Sequence, residues 1–179
     1  MAESLTASVW AYRGLYAGLA VALLFLRMLP LGSVAGAWPG PDLLVCLTFA
    51  WVLRRPDYVP VLLIAVVLLV EDLLVMRPPG LWTAIIVLAT EFLRQRGALA
   101  REISFAVEWL IVAAVMAASL LAFRLALMLT LLPEASPGQA MIQLIASILC
   151  YPVVVGASRL IFGVRKPATG EVDAYGRRL

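Results

Sequence analysis

The chain has 179 residues, of which 64% are hydrophobic and 14% charged, with a net charge of +3 and a mean hydropathy of +1.01. A water-soluble domain carries roughly 45–50% apolar and about 25% charged residues, so this composition excludes a soluble fold. It also leaves no length for a separate soluble catalytic domain. The absence of histidine removes His-based metal sites, Ser-His-Asp triads and Cys-His dyads together. The two cysteines, Cys46 and Cys150, fall inside apolar blocks far apart in sequence and read as small core residues. The basic residues gather in the joints between apolar blocks instead of alternating with aromatics on one face, so no nucleic-acid surface is expected. No cofactor or metal is implied either.

The chain therefore reads as one all-α integral membrane domain over 1–179, a polytopic bundle of about six transmembrane helices. Residues 1–13 form a polar start with Trp10 and Tyr12 at belt positions, and the first apolar block runs from Gly14 to Leu31. Arg27 interrupts that block, which is long for a signal peptide, so an uncleaved span is expected. The joint from Gly32 to Pro41 is rich in glycine and proline. A second block, Leu43 to Leu53, ends at Arg54-Arg55-Pro56-Asp57. As a helix it rises only about 16 Å against a hydrocarbon core of about 30 Å, so it must borrow neighbouring residues, thin the bilayer or re-enter.

The third block, Val59 to Met76, contains the adjacent acids Glu71 and Asp72. The fourth, Leu81 to Leu93, is short and carries Glu91 beside Arg94-Gln95-Arg96. The fifth, Phe105 to Leu132, spans about 42 Å, with Glu108 near its start and Arg124 inside it. The sixth, Met141 to Phe162, holds Pro152 and Gly156, which kink a membrane helix without ending it. A polar tail, 163–179, follows with Arg165, Lys166, Arg177 and Arg178.

Six spans with a cytoplasmic N-terminus place eleven of the 14 Lys and Arg residues inside. Four spans, with the two short blocks re-entrant, place ten inside. Both arrangements put both termini in the cytoplasm. Arg54, Arg55, Arg94, Arg96, Arg165 and Lys166 are then candidates for contact with anionic lipid or a cytoplasmic partner.

Charges within the spans need partners or a task. Asp72 lies five residues before Arg77, about 8 Å below the outer boundary, and Arg124 nine residues before Pro133, about 13 Å below it. Arg27 joins the same layer. A polar cluster of Arg27, Glu71, Asp72 and Arg124 between the first, third and fifth spans is therefore expected. The competing reading gives Glu71 or Asp72 a part in proton or cation transport, although no internal repeat of the kind that accompanies coupled transport is visible.

The runs Pro41-Asp42-Leu43-Leu44, Trp51-Val52-Leu53-Arg54-Arg55-Pro56 and Glu71-Asp72-Leu73-Leu74, with Gly80-Leu81 eight residues after Asp72, together resemble the rod-shape-determining membrane protein family MreD. Length and block order agree over essentially the whole chain. The Asp72, Pro78 and Gly80 spacing is the most specific part, with Asp72 ending a span and Gly80 permitting a tight return that a side chain would obstruct. Leu68-Leu69-Val70 stands where that family usually has a glycine-leucine pair.

The resemblance implies a non-catalytic component of the bacterial inner membrane. Its implied partners are MreC, the actin-like filament MreB, and RodA with its penicillin-binding synthase. It further implies a fold like the substrate-binding component of energy-coupling-factor vitamin transporters. A vitamin-binding transporter component is the alternative and needs a polar, aromatic-lined cavity near the outer face, with Trp38, Trp82 and Trp109 as candidates. A membrane-embedded enzyme using Glu71 and Asp72 as acid and base is a third class.

Overall fold

The computed structural model describes residues 2–29, 39–96, 104–131 and 136–164. Over these residues the chain forms six α-helices: α1 (Ala2–Met28), α2 (Leu43–Arg54), α3 (Val61–Leu74), α4 (Leu81–Gln95), α5 (Phe105–Leu129) and α6 (Pro137–Ile161). A single 3-10 turn, Pro56–Tyr58, joins α2 to α3. Three helices are long and apolar enough to cross a membrane: Ser8–Met28 within α1, then α5 and α6. That is the make-up of a multi-pass membrane protein. The stretch 1–13, expected as a separate polar start, belongs from Ala2 onward to the first turns of α1.

The short helix α2 is the centre of the bundle. Every residue from Leu44 to Arg54 is buried, and α2 packs most extensively against α6, then α4 and α1. A helix apolar on all faces is buried either in lipid or among other helices, and here the neighbouring helices surround it. Its 12 residues rise about 18 Å, and because its neighbours supply its surroundings, this length need not match a bilayer. The shortness of the second block thus reflects enclosure by protein, an option additional to borrowing, thinning or re-entry.

The polar groups of α2 are answered from α6 and α1. The Asp42 side chain caps α2 by accepting from the Val45 amide at 3.2 Å, and the Asp42 amide donates to Ser147 Oγ at 2.8 Å. Farther along, Trp51 Nε1 donates to Ser158 Oγ at 3.1 Å, and Tyr16 Oη lies 2.8 Å from Thr48 Oγ1. The buried residues of α6, Ser147, Tyr151, Val155 and Ser158, fall at spacings of four, four and three. This places them on one face, and its small serines allow close approach to α2.

Pro152 lies inside α6. Having no N–H, it cannot donate to the Ile148 carbonyl one turn earlier. Trp109 Nε1 of α5 donates to that carbonyl at 2.8 Å. In a lipid environment a freed carbonyl has no water to turn to, and the neighbouring helix provides the donor.

The helices alternate in direction, which gives the bundle two polar ends. The distal end carries the C-termini of α1, α3 and α5 with the N-termini of α2, α4 and α6. The proximal end carries the remaining helix ends, and there Tyr12 stacks on Tyr58 with ring centroids 4.3 Å apart. At the same end Arg13 Nε donates to the Asp57 carbonyl at 3.2 Å. Both ends of the described chain are proximal, since Tyr12 Oη also reaches the Phe162 carbonyl at 3.3 Å.

The lateral surface is apolar: Leu62 is 76% exposed, Leu88 70% and Leu110 70%. The contrast with α2 sets an expected outcome. Phe49→Ala should lower the unfolding free energy in detergent by about 3–5 kcal/mol, while Leu62→Ala should change it by about 0.5 kcal/mol or less. Equal losses in a denaturation series would show that α2 is not the core.

Candidate functional site

At the distal end, α3 stops in a Schellman turn. The Arg77 amide donates to the Asp72 carbonyl at 3.0 Å and the Met76 amide to the Leu73 carbonyl at 3.4 Å. Met76 takes the left-handed conformation at φ 55°, which costs a non-glycine residue about 1–2 kcal/mol. The turn then runs through Pro78-Pro79 to Gly80, the N-cap of α4, at φ 85°. A Cβ built on Gly80 meets nothing within 4 Å. Glycine is therefore required there for its positive φ and not, as the spacing suggested, to avoid obstruction.

Asp72 explains the eight-residue interval. A glycine N-cap has no side chain to satisfy the first amides of its helix, and Asp72 does so from outside. Its Oδ2 accepts from the Gly80 amide at 3.1 Å, the Thr83 amide at 3.1 Å and Thr83 Oγ1 at 2.9 Å. Its negative charge also faces the positive end of the α4 dipole. The backbone of Asp72 closes α3 while its side chain opens α4.

Glu71, fully buried, turns the other way. It forms an ion pair with Arg27 of α1 and lies 3.8 Å from Arg77 Nη1. Arg27 is also 3.5 Å from Asp42 Oδ2. The expected cluster of Arg27, Glu71, Asp72 and Arg124 is thus corrected in membership. Arg27 and Glu71 do meet, Asp72 is bound to α4, and Arg77 and Asp42 complete the group. Arg124 lies on the wall of the adjoining cavity. Depth along each helix was readable from sequence, but direction around the helix was not, and neighbouring acids diverge by about 100°.

That cavity has a volume of about 260 Å³ and lies among α2, α4, α5 and α6 at the distal end. Arg77, Arg124, Asp42, Gln139 and Gln143 contribute its polar wall, and Ile86, Met116, Phe123 and Leu127 much of the rest. Trp82 lines it too, with its ring 5.3 Å from Phe123 edge-on and the Arg77 guanidinium 5.2 Å from its centroid. Of the candidate aromatics, Trp82 faces the cavity, Trp109 joins α5 to α6, and Trp38 lies outside the described residues.

A second ionic group, at the proximal end, was not foreseen as a unit. Arg54 Nη1 pairs with Glu108 Oε1 at 2.9 Å, and Tyr151 Oη donates to the same oxygen at 3.0 Å. Arg54 is only 5% exposed, so it is withdrawn from the set of cytoplasmic contacts and ties α2 to α5 and α6. Arg94 is likewise engaged: it donates to Glu91 Oε1 at 2.8 Å, the Pro56 carbonyl at 3.1 Å and the Val59 carbonyl at 2.8 Å. It pins the turn between α2 and α3 to α4. Arg55 lies over Tyr58 and the exposed Arg96 over Phe92, both at the proximal surface. Arg165 and Lys166 lie outside the described residues.

No protein-family model matches the chain, and no curated protein or solved structure is significantly similar to it.

Two outcomes follow from this geometry. Asp72→Ala removes three donors' acceptor and should cost about 1.5–3 kcal/mol, while Asp72→Asn, which keeps an oxygen there, should lose less than half as much; equal losses in unfolding titrations would exclude the capping role. Arg54→Leu or Glu108→Leu alone strands a buried charge and should cost about 3–5 kcal/mol. The double variant should be more stable than either single one, and additive losses would argue against a direct pair.

Proposed function

We propose that this chain is a non-catalytic scaffold of the bacterial cell-elongation machinery, of the MreD kind. It crosses the inner membrane six times with both termini in the cytoplasm. In this reading the proximal end is cytoplasmic and the turn around Met76 to Gly80 is periplasmic. The bundle holds an MreC-type partner, aligning periplasmic wall synthesis by RodA and its penicillin-binding synthase with the MreB filament.

The observation that carries the reading is how the bundle uses its intramembrane acids. Glu71 is held by arginines, Asp72 by the first turn of α4, and Glu108 by Arg54 and Tyr151. Groups fixed in this way fasten helices to one another, as a scaffold requires, whereas a proton carrier or an acid–base pair must change its charge in each cycle. The interval from Asp72 to Gly80, the most specific part of the family resemblance, has a matching physical task in the hairpin.

The distal cavity favours a second reading, the vitamin-binding component of a transporter. It has the polar and aromatic wall that such a component needs. Recovery from detergent separates the two: a scaffold co-purifies with a single-span periplasmic partner and crosslinks to it from positions 71–81, while a transporter component retains a small vitamin.

Topology can be checked directly. A cysteine replacing Met76, which is 93% exposed, should react with an impermeant maleimide in intact spheroplasts, and one replacing Arg96 only after lysis. Asp72→Ala should also reduce recovery of the partner and give rounded cells in place of rods. Normal rods, or labelling in the reverse order, would refute the assignment.

A further inference from the structure

The charged residues lining the distal cavity are two guanidinium groups, Arg77 and Arg124, and one carboxylate, Asp42. Arg77 Nη1 and Trp82 Nε1 are both buried and have no hydrogen-bond partner among the described residues, and the Arg77 guanidinium lies 5.2 Å from the Trp82 ring centroid. A buried donor left unmade costs about 1–3 kcal/mol, more when charged. Arg77 Nη1 faces Glu71 Oε1 at 3.8 Å, a charge contact without a hydrogen bond, so both donors stay unsatisfied beside the cavity. The nearby acids Glu71 and Asp42 are shared with Arg27. Glu71 is held mainly by Arg27 and more distantly by Arg77, and Asp42 by Arg27 and the Val45 amide. Arg124 adds a second guanidinium to the wall, and Gln139 and Gln143 add amides. Ile86, one turn after Trp82, joins Met116, Phe123 and Leu127 in an apolar lining.

We propose that this cavity binds an amphiphilic anion: a phosphate or carboxylate head at Arg77 and the Trp82 indole N–H, with an apolar body against α4 and α5. Guanidinium and indole donors suit an oxyanion because each offers N–H groups and no acceptor. The volume of about 260 Å³ sits at the lower edge of ordinary ligand pockets, suiting a compact head and a short apolar segment. The site holds whether the chain is a scaffold or a transporter component. The anion comes either from a lipid headgroup or from a small soluble molecule.

The full chain in phosphatidylcholine nanodiscs, titrated calorimetrically with hexyl phosphate, hexanoate, hexanol and hexylammonium, tests the proposal. Hexyl phosphate or hexanoate should bind saturably and at least tenfold more tightly than hexanol. Arg77→Gln should weaken that binding at least tenfold and Trp82→Phe, which keeps the ring, several-fold. Because Arg77 also approaches Glu71, Ser119→Leu provides an independent check. Among the described residues the Ser119 hydroxyl bonds within its own helix, to the Val115 carbonyl at 2.8 Å, and leucine there fills the cavity without altering charge; binding should vanish while the melting temperature stays near that of the parent.

Native mass spectrometry of the protein from cell membranes distinguishes the sources. An anionic lipid retained by the parent and lost in Ser119→Leu identifies the lipid arm, whereas hexyl phosphate binding without retained lipid identifies the soluble arm. Absence of both, equal affinity for hexanol, preference for hexylammonium, or unchanged binding in Arg77→Gln and Ser119→Leu overturns the proposal.

Discussion

Asp72 joins the end of one helix to the beginning of the next, and the distal architecture depends on that joint. Because its carboxylate accepts from Gly80 and Thr83, α4 begins at a fixed height beside α3. This height places Trp82 against the cavity and against Phe123 of α5. Glu71, one residue earlier, faces α1 and holds Arg27. Two consecutive acids thereby fasten α3 to two different helices. Away from water an unpaired charge is costly, and each of these acids has one oxygen engaged within the protein.

The same rule orders the rest of the bundle. The central helix α2 carries its own acid and base at its two ends. Asp42 links it to Arg27 of α1 and to Ser147 of α6, and Arg54 links it to Glu108 of α5. Between those ends its neighbours are tyrosine, serine and apolar side chains. The two ionic layers therefore share a single short helix. Interhelical hydrogen bonds of this kind contribute on average about 0.6 kcal/mol each, so they define which faces meet more than they stabilise the bundle. Close packing around Phe49 and Trp51 supplies the larger share.

Much of the helix pattern was legible in the residues. The apolar blocks beginning at Leu43, Leu81 and Phe105 start where α2, α4 and α5 start, because proline, glycine and charge interrupt hydropathy at helix ends. The layer containing Arg27 and Glu71 was also legible, since depth follows from counting residues to the nearest joint. Azimuth was hidden. Nothing in the sequence states that α3 turns Asp72 toward α4, or that Arg54, one residue from the exposed-looking Arg55, points into the core. Those directions arise from which helices become neighbours, a property of the assembled bundle. The full enclosure of α2 escaped for the same reason: an apolar run looks alike whether lipid or protein surrounds it. The hydrogen bond from Trp109 to the carbonyl freed by Pro152 had a visible half, the proline, while its donor lies 43 positions earlier with no local mark.

That last bond also limits how the two longest neighbours can move. A helix with a complete ladder can glide past another by a full turn and meet an equivalent surface. Here only one rung of α6 is vacant, and only one indole on α5 is seated to occupy it. Displacement along the axis would break that bond and leave its donor and acceptor unpaired, so it marks the register in which α5 and α6 meet, like a pin in a notch.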